Sequence, residues 1–249
     1  MSLYILFGII FFASFILTMV GLGGGLIFSP LFLLIGFPKM TAVSASLFLN
    51  GVAAVSAAIV YYRQKMVDFS LSLPLIVTSS IGAPLGALGA SFIDIKLFLI
   101  LMALVVFLGA VRMILPGQIK PAESSGRRAR IIGGGLIGLV IGFMGGLLGI
   151  GGGVFIVPLL IFFLGVPTKT AAASSIFIVC FSSFAGFATY ASLGAIDWRF
   201  VLPAAVFSFA GGQAGSRIMV KKISGRTIRI LFGVILLAFC AKLLQKALM

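Results

Sequence analysis

Long apolar runs, separated by short polar breaks, follow one another along nearly the whole chain of 249 residues. A helix that spans a membrane needs roughly 20 apolar residues in succession. Runs of this kind predict helices in the first half of the chain at about 3–20, 41–62, 70–91 and 97–115. In the second half they predict helices at about 131–148, 170–192, 200–219 and 228–247. The pattern is typical of an all-α polytopic membrane protein.

Two further apolar stretches, at 26–36 and 154–165, are too short to span a membrane. As helices they would rise roughly 17–18 Å, against a hydrocarbon core of roughly 30 Å. Each follows a glycine-rich run, which reads Gly-Leu-Gly-Gly-Gly at residues 21–25 and Gly-Ile-Gly-Gly-Gly at residues 149–153. We call these runs the first and second glycine segments, and we predict that each breaks the chain before a half-helix.

The glycine segments belong to an internal repeat that covers most of both halves. The second segment follows the first at an offset of 128 residues, and the offset is 129 beyond the proline that comes after each segment. The same residue type recurs in further pairs: Thr41 and Thr170, Ser46 and Ser175, Tyr61 and Tyr190, Asp68 and Asp197, and Pro74 and Pro203. Each half therefore predicts the same succession of five helices. The repeat places membrane domains at 1–115 and 131–249, joined by a polar linker at 116–130.

The distribution of basic residues predicts the orientation in the membrane, because Lys and Arg concentrate on the cytoplasmic side. If each half crosses five times, with the short helix counted as a crossing, 13 of the 18 basic residues lie inside. The linker and the loop at 217–229 are then cytoplasmic. If each short helix is a re-entrant dip, the division is 10 to 8. The first alternative fits better, and its odd number of crossings inverts the second half relative to the first, as in many secondary transporters.

The composition excludes several classes of protein. Hydrophobic residues make up 61% of the chain and charged residues 9%, whereas soluble domains are near half apolar and a quarter charged. The net charge of +14 does not indicate nucleic-acid binding, because the basic residues lie in short gaps between apolar runs. The chain has no histidine and only four scattered acidic residues. We therefore expect neither a zinc centre nor an enzyme active site, and no cofactor.

The start of each half-helix is the main candidate for substrate binding. A helix N-terminus presents unpaired N–H groups and the positive end of the helix dipole, and glycine has no side chain to keep an anion away. Prolines inside the half-helices kink them, and hydroxyl and amide groups downstream can donate to an oxyanion. The predicted substrate-binding residues are Gly23, Gly24, Gly25, Pro30, Ser46, Asn50, Gly151, Gly152, Gly153, Pro158, Ser174, Ser175 and Gln213.

Some of these residues can also be interpreted as purely structural, without a role in binding. Glycines also permit close helix packing, and membrane Ser and Thr, including Ser182 and Ser183 outside the predicted set, often bond their own or a neighbouring helix. Helix N-caps are predicted at Thr41, Thr170, Asp68 and Asp197. An interfacial aromatic belt is predicted at Tyr61, Tyr190 and Trp198.

The doubled glycine motif, followed in each half by Pro, Gly-x-Pro and a Thr-Ala…Ser stretch, resembles the TauE/SafE family of sulfite exporters. The matching residues are 21–30 with 41–46, and 149–158 with 170–175. The resemblance implies a permease of the bacterial or archaeal inner membrane that moves sulfur-containing anions or organosulfonates. Two further glycines, Gly145 and Gly146, precede the second segment, so the two halves of the site need not bind alike.

These observations favour a secondary transporter of small anions. In this hypothesis the two half-helix ends hold the anion near the midplane, and the two inverted repeats expose it to either side in turn. The alternatives are an anion channel lined by the same helix ends, or a membrane subunit of a larger transport assembly. The expected partners are a small anion and the lipid bilayer, without nucleic acid, and the sequence leaves open whether the chain forms a homo-oligomer.

Overall fold

A computed structural model of the chain describes residues 3–90, 103, 107, 110–111, 127–162, 164–194 and 196–248. Within these residues the chain forms nine helices and no strand. Four helices belong to the first half: α1 (Leu3–Val20), α2 (Gly25–Leu34), α3 (Lys39–Arg63) and α4 (Phe69–Gly89). Five belong to the second half: α5 (Arg127–Leu148), α6 (Gly153–Phe162), α7 (Thr168–Ser192), α8 (Trp198–Lys222) and α9 (Gly225–Leu248). The helical fold predicted from the apolar runs is confirmed.

The helix boundaries lie within about four residues of the predicted ones. The largest difference is at α5, which begins at Arg127 and so includes the end of the predicted linker. Arginine and alanine favour helix, and no proline interrupts residues 127–131. The predicted helix at 97–115 lies outside the described residues except at four helical positions, and the linker at 116–126 lies outside them entirely.

Three of the helices, α3, α4 and α7, are long and apolar enough to cross a membrane. Shorter apolar helices are formed by Tyr4–Val20 of α1 and Gly135–Leu148 of α5. The half-helices α2 and α6 hold 10 residues each, so each rises only about 15 Å. The chain is therefore a helical membrane protein with two helices too short to span the bilayer.

Each half sends its fourth helix against the first helix of the other half. A methyl group on Gly86 of α4 would overlap the carbonyl of Phe143 in α5, and one on Gly215 of α8 would overlap the carbonyl of Phe15 in α1. The two contacts are equivalent in the repeat. Glycine lets two helix backbones touch, which is how membrane helices pack closely. Gly86 and Gly215 therefore lie in close-packed seams between helices.

The long helices α3 and α7 cross at the centre of the molecule in opposite directions. Gly51 lies against Phe184, while Phe48 lies against Phe187, so residue numbers rise along one helix as they fall along the other. Both helices are mostly buried. The glycine segments pack against these two helices.

The half-helix α2 turns back toward the end of the molecule where α1 begins. The Phe32 ring in α2 lies 5.3 Å from that of Phe200, and Phe200 stacks at 6.4 Å on Phe7 in the second turn of α1. The N-terminus of α2 consequently lies in the interior, and its C-terminus lies toward the surface.

The predicted helix caps are confirmed at the two aspartates. The Asp68 carboxylate accepts from Ser70 N at 3.0 Å, and the Asp197 carboxylate accepts from Arg199 N at 3.1 Å. The caps predicted at Thr41 and Thr170 are wrong, because α3 and α7 begin two residues earlier, after a proline in each case. Proline fixes its own backbone φ, so the chain enters the helix at a set angle without a side-chain cap.

The predicted aromatic belt is wrong for two of its three members. Tyr61 and Tyr190 are fully buried, and their hydroxyls donate to Thr18 O at 2.8 Å and to Gly146 O at 3.3 Å. A tyrosine at the headgroup level keeps its hydroxyl in water, whereas these two hydroxyls bond backbone carbonyls inside the protein. Trp198 is half exposed.

Candidate functional site

The two glycine segments lie against each other in the interior. A methyl group on Gly25 would come within 2.9 Å of Gly149 O, and one on Gly153 would come within 2.6 Å of Leu22 O. Real Cβ atoms do not approach backbone this closely, so no side chain fits at either position. The glycines predicted from the motif are therefore required for one segment to pass beside the other.

Three of the six predicted glycines also adopt backbone angles that other residues avoid. Gly23 has a φ of 74°, Gly151 of 69° and Gly152 of 84°. Residues with a Cβ rarely adopt this left-handed region. Gly24 has an ordinary helical φ of −91°, so at this position the two halves differ.

A serine of each half holds the glycine segment of the other. Ser46 Oγ in α3 donates to Gly149 O at 2.7 Å, and Ser175 Oγ in α7 donates to Gly21 O at 2.8 Å. The four residues are equivalent in the repeat. Ser46 Oγ also lies 3.3 Å from Gly25 O. The two hydroxyls therefore join the halves across the site.

Asn50 uses both ends of its side-chain amide at the same place. Its Oδ1 accepts from Gly25 N, the first amide of α2, at 2.9 Å. Its Nδ2 donates to Ser183 Oγ at 2.8 Å and to Ile150 O at 3.4 Å. Asn50 is fully buried, so one side chain bonds both glycine segments and the long helix α7.

The polar groups of the site are unequal in the two halves. The residue equivalent to Asn50 is Val179, and the residues equivalent to Ser182 and Ser183 are alanines. Ser182 Oγ donates to Gly151 O at 2.8 Å. The first half thus supplies an amide and the second half a pair of hydroxyls.

The site carries no side-chain charge within the part of the chain that the structure describes. The buried polar residues there are serines, one threonine and Asn50, and no group of three potential metal ligands occurs. The N-termini of α2 and α6, which both begin in the interior, bring the positive ends of two helix dipoles to this place.

Most of the predicted binding residues meet here, but four do not. Ser174 Oγ accepts from Asp68 N at 3.0 Å, at the start of α4. Gln213 lies beside Ser56, with 3.1 Å between the Ser56 hydroxyl and the Gln213 amide. Pro158 lies inside α6, beyond its first turn. Pro30 lies at the corresponding place in α2.

Ser182 and Ser183 belong to the site although both lie outside the predicted set, and the one that bonds Asn50 is Ser183. Its hydroxyl accepts the 2.8 Å bond from Asn50 Nδ2. A search for equivalent residues cannot find it, because Ala54 stands at its equivalent position. The available signal is the Ser182–Ser183 pair, two hydroxyls in an apolar helix.

Comparison with known proteins assigns the chain to a transporter family. The family model described as "Sulfite exporter TauE/SafE" matches residues 6–243. The chain is 25% identical to the probable membrane transporter protein YunE of Bacillus subtilis, over 99% of this chain and 98% of that protein. It is 26% identical to a probable membrane transporter protein of Methanocaldococcus jannaschii, over 88% and 86%. The probable membrane transporter protein YfcA of Escherichia coli K12 is 25% identical, over 96% and 90%. No solved structure matches the chain.

Proposed function

We propose, since the chain belongs to the TauE/SafE family, that it is a secondary transporter of small anions, with sulfite or organosulfonates as substrates. Its relatives are named as probable membrane transporters, in bacteria and in an archaeon. The protein is accordingly a transporter and not an enzyme. The substrate class comes from the family description, and the chemistry of the site is consistent with it.

One observation supports the site of transport most directly. The N-termini of α2 and α6 both begin in the interior, where Gly25 and Gly153 each touch the opposite glycine segment. Two helix N-termini at one place present N–H donors and two positive dipole ends. A sulfur oxyanion has several oxygens that accept such bonds, so both ends can hold it at once.

The mechanism that we propose is alternating access between two inverted repeats. Support comes from the antiparallel crossing of α3 and α7 and from the reciprocal bonds of Ser46 and Ser175. Related parts of an inverted repeat make matching contacts with each other, and binding sites of such transporters lie at the repeat interface. The absence of space for a Cβ between the segments favours a closed carrier over a channel, which needs a continuous pore.

The proposed orientation places the ends of α3 and α8 and the start of α7 in the cytoplasm. The helix α8 runs parallel to α3, because Ser208 bonds Leu49 and Gln213 bonds Ser56 further along both helices. The helix α7 runs opposite to α3, so its start lies beside the ends of α3 and α8. These ends carry Arg63, Lys169, Arg217, Lys221 and Lys222. Basic residues favour the cytoplasmic side, and the cytoplasmic (inner) membrane is the proposed location.

Uptake by proteoliposomes that contain only this protein tests the proposal. Vesicles are offered sulfite, thiosulfate, sulfoacetate, sulfate and acetate in turn, and saturable uptake of a sulfur oxyanion or sulfonate is expected. Folded protein that moves none of these anions would contradict the transporter function and favour a role as a subunit. Single-channel current across a planar bilayer would favour the channel.

Substitutions at the glycine segments connect the flux to the site. Gly24→Leu places a side chain against Phe28, and Gly152→Leu places one against Ile141 at a positive φ. Either is expected to abolish uptake. Gly8→Leu is the matched control, because a Cβ at Gly8 meets no atom within 4 Å. Uptake that survives both site substitutions would assign the segments to helix packing alone.

A further inference from the structure

Asn50 bonds both halves of the chain through the two ends of its side-chain amide. It is the only asparagine in the sequence, and it is fully buried in α3. Its oxygen bonds Gly25 of its own half, while its nitrogen bonds Ser183 and Ile150 of the other half. A single side chain therefore ties the start of a half-helix to the opposite repeat.

The oxygen of this amide lies where an oxygen of a bound anion would lie. The first N–H groups of a helix have no partner within the helix, and an anion at a helix N-terminus accepts from them. At α2 the Asn50 Oδ1 takes this place, 2.9 Å from Gly25 N. An anion that binds Gly25 N must first displace the amide oxygen.

Among the residues that the structure describes, no amide side chain is recorded at the start of the other half-helix. Val179 stands at the position equivalent to Asn50, and its side chain carries no hydrogen-bonding atom. The start of α6 is therefore not capped in the same way. Asn50 caps the start of α2, and no asparagine stands at the equivalent position beside α6, so the two halves of the site are unequal.

We propose that Asn50 is a latch that holds the closed arrangement and that the substrate anion releases it. Displacement of Oδ1 from Gly25 N turns the amide, and the turn breaks the bonds from Nδ2 to Ser183 and Ile150. Those two bonds join the halves, so binding and separation of the repeats become one event. This inference rests on the proposed function, because it assumes that the transported anion binds at the start of α2.

A latch of this kind lowers the apparent affinity for the anion. The measured dissociation constant equals the intrinsic constant divided by the fraction of molecules in which the site is open. Removal of the latch raises that fraction. A variant without the amide therefore binds the anion more tightly, whereas loss of a direct ligand would weaken binding.

The test compares the KM for uptake in three variants with that of the unaltered protein, with thiosulfate and sulfite as the probes. Asn50→Val installs the residue of the equivalent position, and its KM is expected to fall about tenfold. Ser183→Ala removes one of the three bonds, and its KM is expected to fall about twofold to threefold. Ser216→Ala is the matched control. Ser216 is buried and bonds Gly212 O of its own helix at 2.8 Å, so this bond does not join the two halves and its loss should leave the KM unchanged.

Hydrogen–deuterium exchange gives a second measurement that does not depend on transport. Asn50→Val should increase exchange in the peptides that contain residues 21–25 and also in those that contain residues 149–153, because the Asn50 amide bonds both segments. Ser216→Ala should leave exchange in both segments as in the unaltered protein.

The outcomes separate the latch from the proposed function. If the wild-type protein takes up no anion, the proposed function is contradicted. Hydrogen–deuterium exchange then shows independently whether Asn50 joins the two segments. Wild-type uptake with an unchanged or raised KM in Asn50→Val overturns the latch and leaves the transporter in place. An increase in exchange in the first segment alone also overturns the latch, because the bonds from Asn50 Nδ2 then do not stabilise the second segment.

Discussion

Ser46 Oγ donates a 2.7 Å hydrogen bond to the carbonyl oxygen of Gly149, although 103 residues separate them in the chain. Ser175 makes the equivalent bond to Gly21 at 2.8 Å. Each long helix thus holds the glycine segment of the opposite half. The two halves are therefore bonded to each other at the site, so a displacement of one glycine segment alters a hydrogen bond to the opposite half.

The paired serines should contribute equally to stability. Ser46→Ala and Ser175→Ala each remove one buried bond to a backbone carbonyl, and each is expected to lower the free energy of unfolding by about 1 kcal/mol. Thermal unfolding in detergent, followed by circular dichroism, measures this. Ser216→Ala is the control, because Ser216 Oγ bonds Gly212 O of its own helix at 2.8 Å. A large effect for one serine and none for the other would contradict the equivalence.

The glycine seams should tolerate no methyl group. Gly86→Ala and Gly215→Ala each drive a Cβ into the backbone of a neighbouring helix, and each is expected to cost about 2–3 kcal/mol. Gly8→Ala meets open space and should be neutral or stabilising by up to about 1 kcal/mol. Thermal unfolding of the three purified variants tests the prediction, which fails if Gly8→Ala is as damaging as the other two.

The stability that the N-cap of α8 provides should depend on the capping hydrogen bonds of Asp197 and not on its charge. Asp197→Ala removes the acceptor for Arg199 N and Phe200 N, and it is expected to cost about 1 kcal/mol. Asn is as good an N-cap as Asp, so Asp197→Asn should keep most of the stability. Equal losses in the two variants would show that the charge of Asp197 matters more than its capping bonds.

A negative charge at the latch should have the opposite effect to its removal. The substitution Asn50→Asp keeps an oxygen at Gly25 N but places a carboxylate where the anion would bind. The expected result is a raised KM, or no uptake, in the same proteoliposome assay, because like charges repel. An equal KM for Asn50→Asp and Asn50→Val would mean that the anion does not approach Gly25 N.

The sequence predicted the helices well because their causes are local. Apolar runs of helical length specify α3, α4 and α7, and the caps at Asp68 and Asp197 depend only on the next two or three residues. The caps predicted at Thr41 and Thr170 failed because Pro38 and Pro167 already start those helices. The interior position of Tyr61 and Tyr190 also escaped prediction, since hydropathy does not say which way a side chain points.

Within the site, the sequence identified the members that the repeat duplicates. The glycine segments recur at an offset of 128 residues and Ser46 recurs as Ser175 at an offset of 129, and the structure brings them together. Ser174 and Gln213 were also predicted, yet they bond Asp68 and Ser56 elsewhere. A hydroxyl or amide in a helix can face any neighbour, and a rotation of the helix about its axis changes its partner.

The sequence by itself determined the membrane class, the order of the helices, the repeat and the two glycine segments, because each depends on neighbouring residues or on similarity along the chain. Only the tertiary structure decided that Asn50 bonds Gly25, Ile150 and Ser183, the last of these 133 residues away. Val179 and Ala54 break the repeat at this point, so no internal comparison reveals the contact. Such a bond exists only when α3 and α7 cross at one angle and depth, which the packing of all the helices sets together.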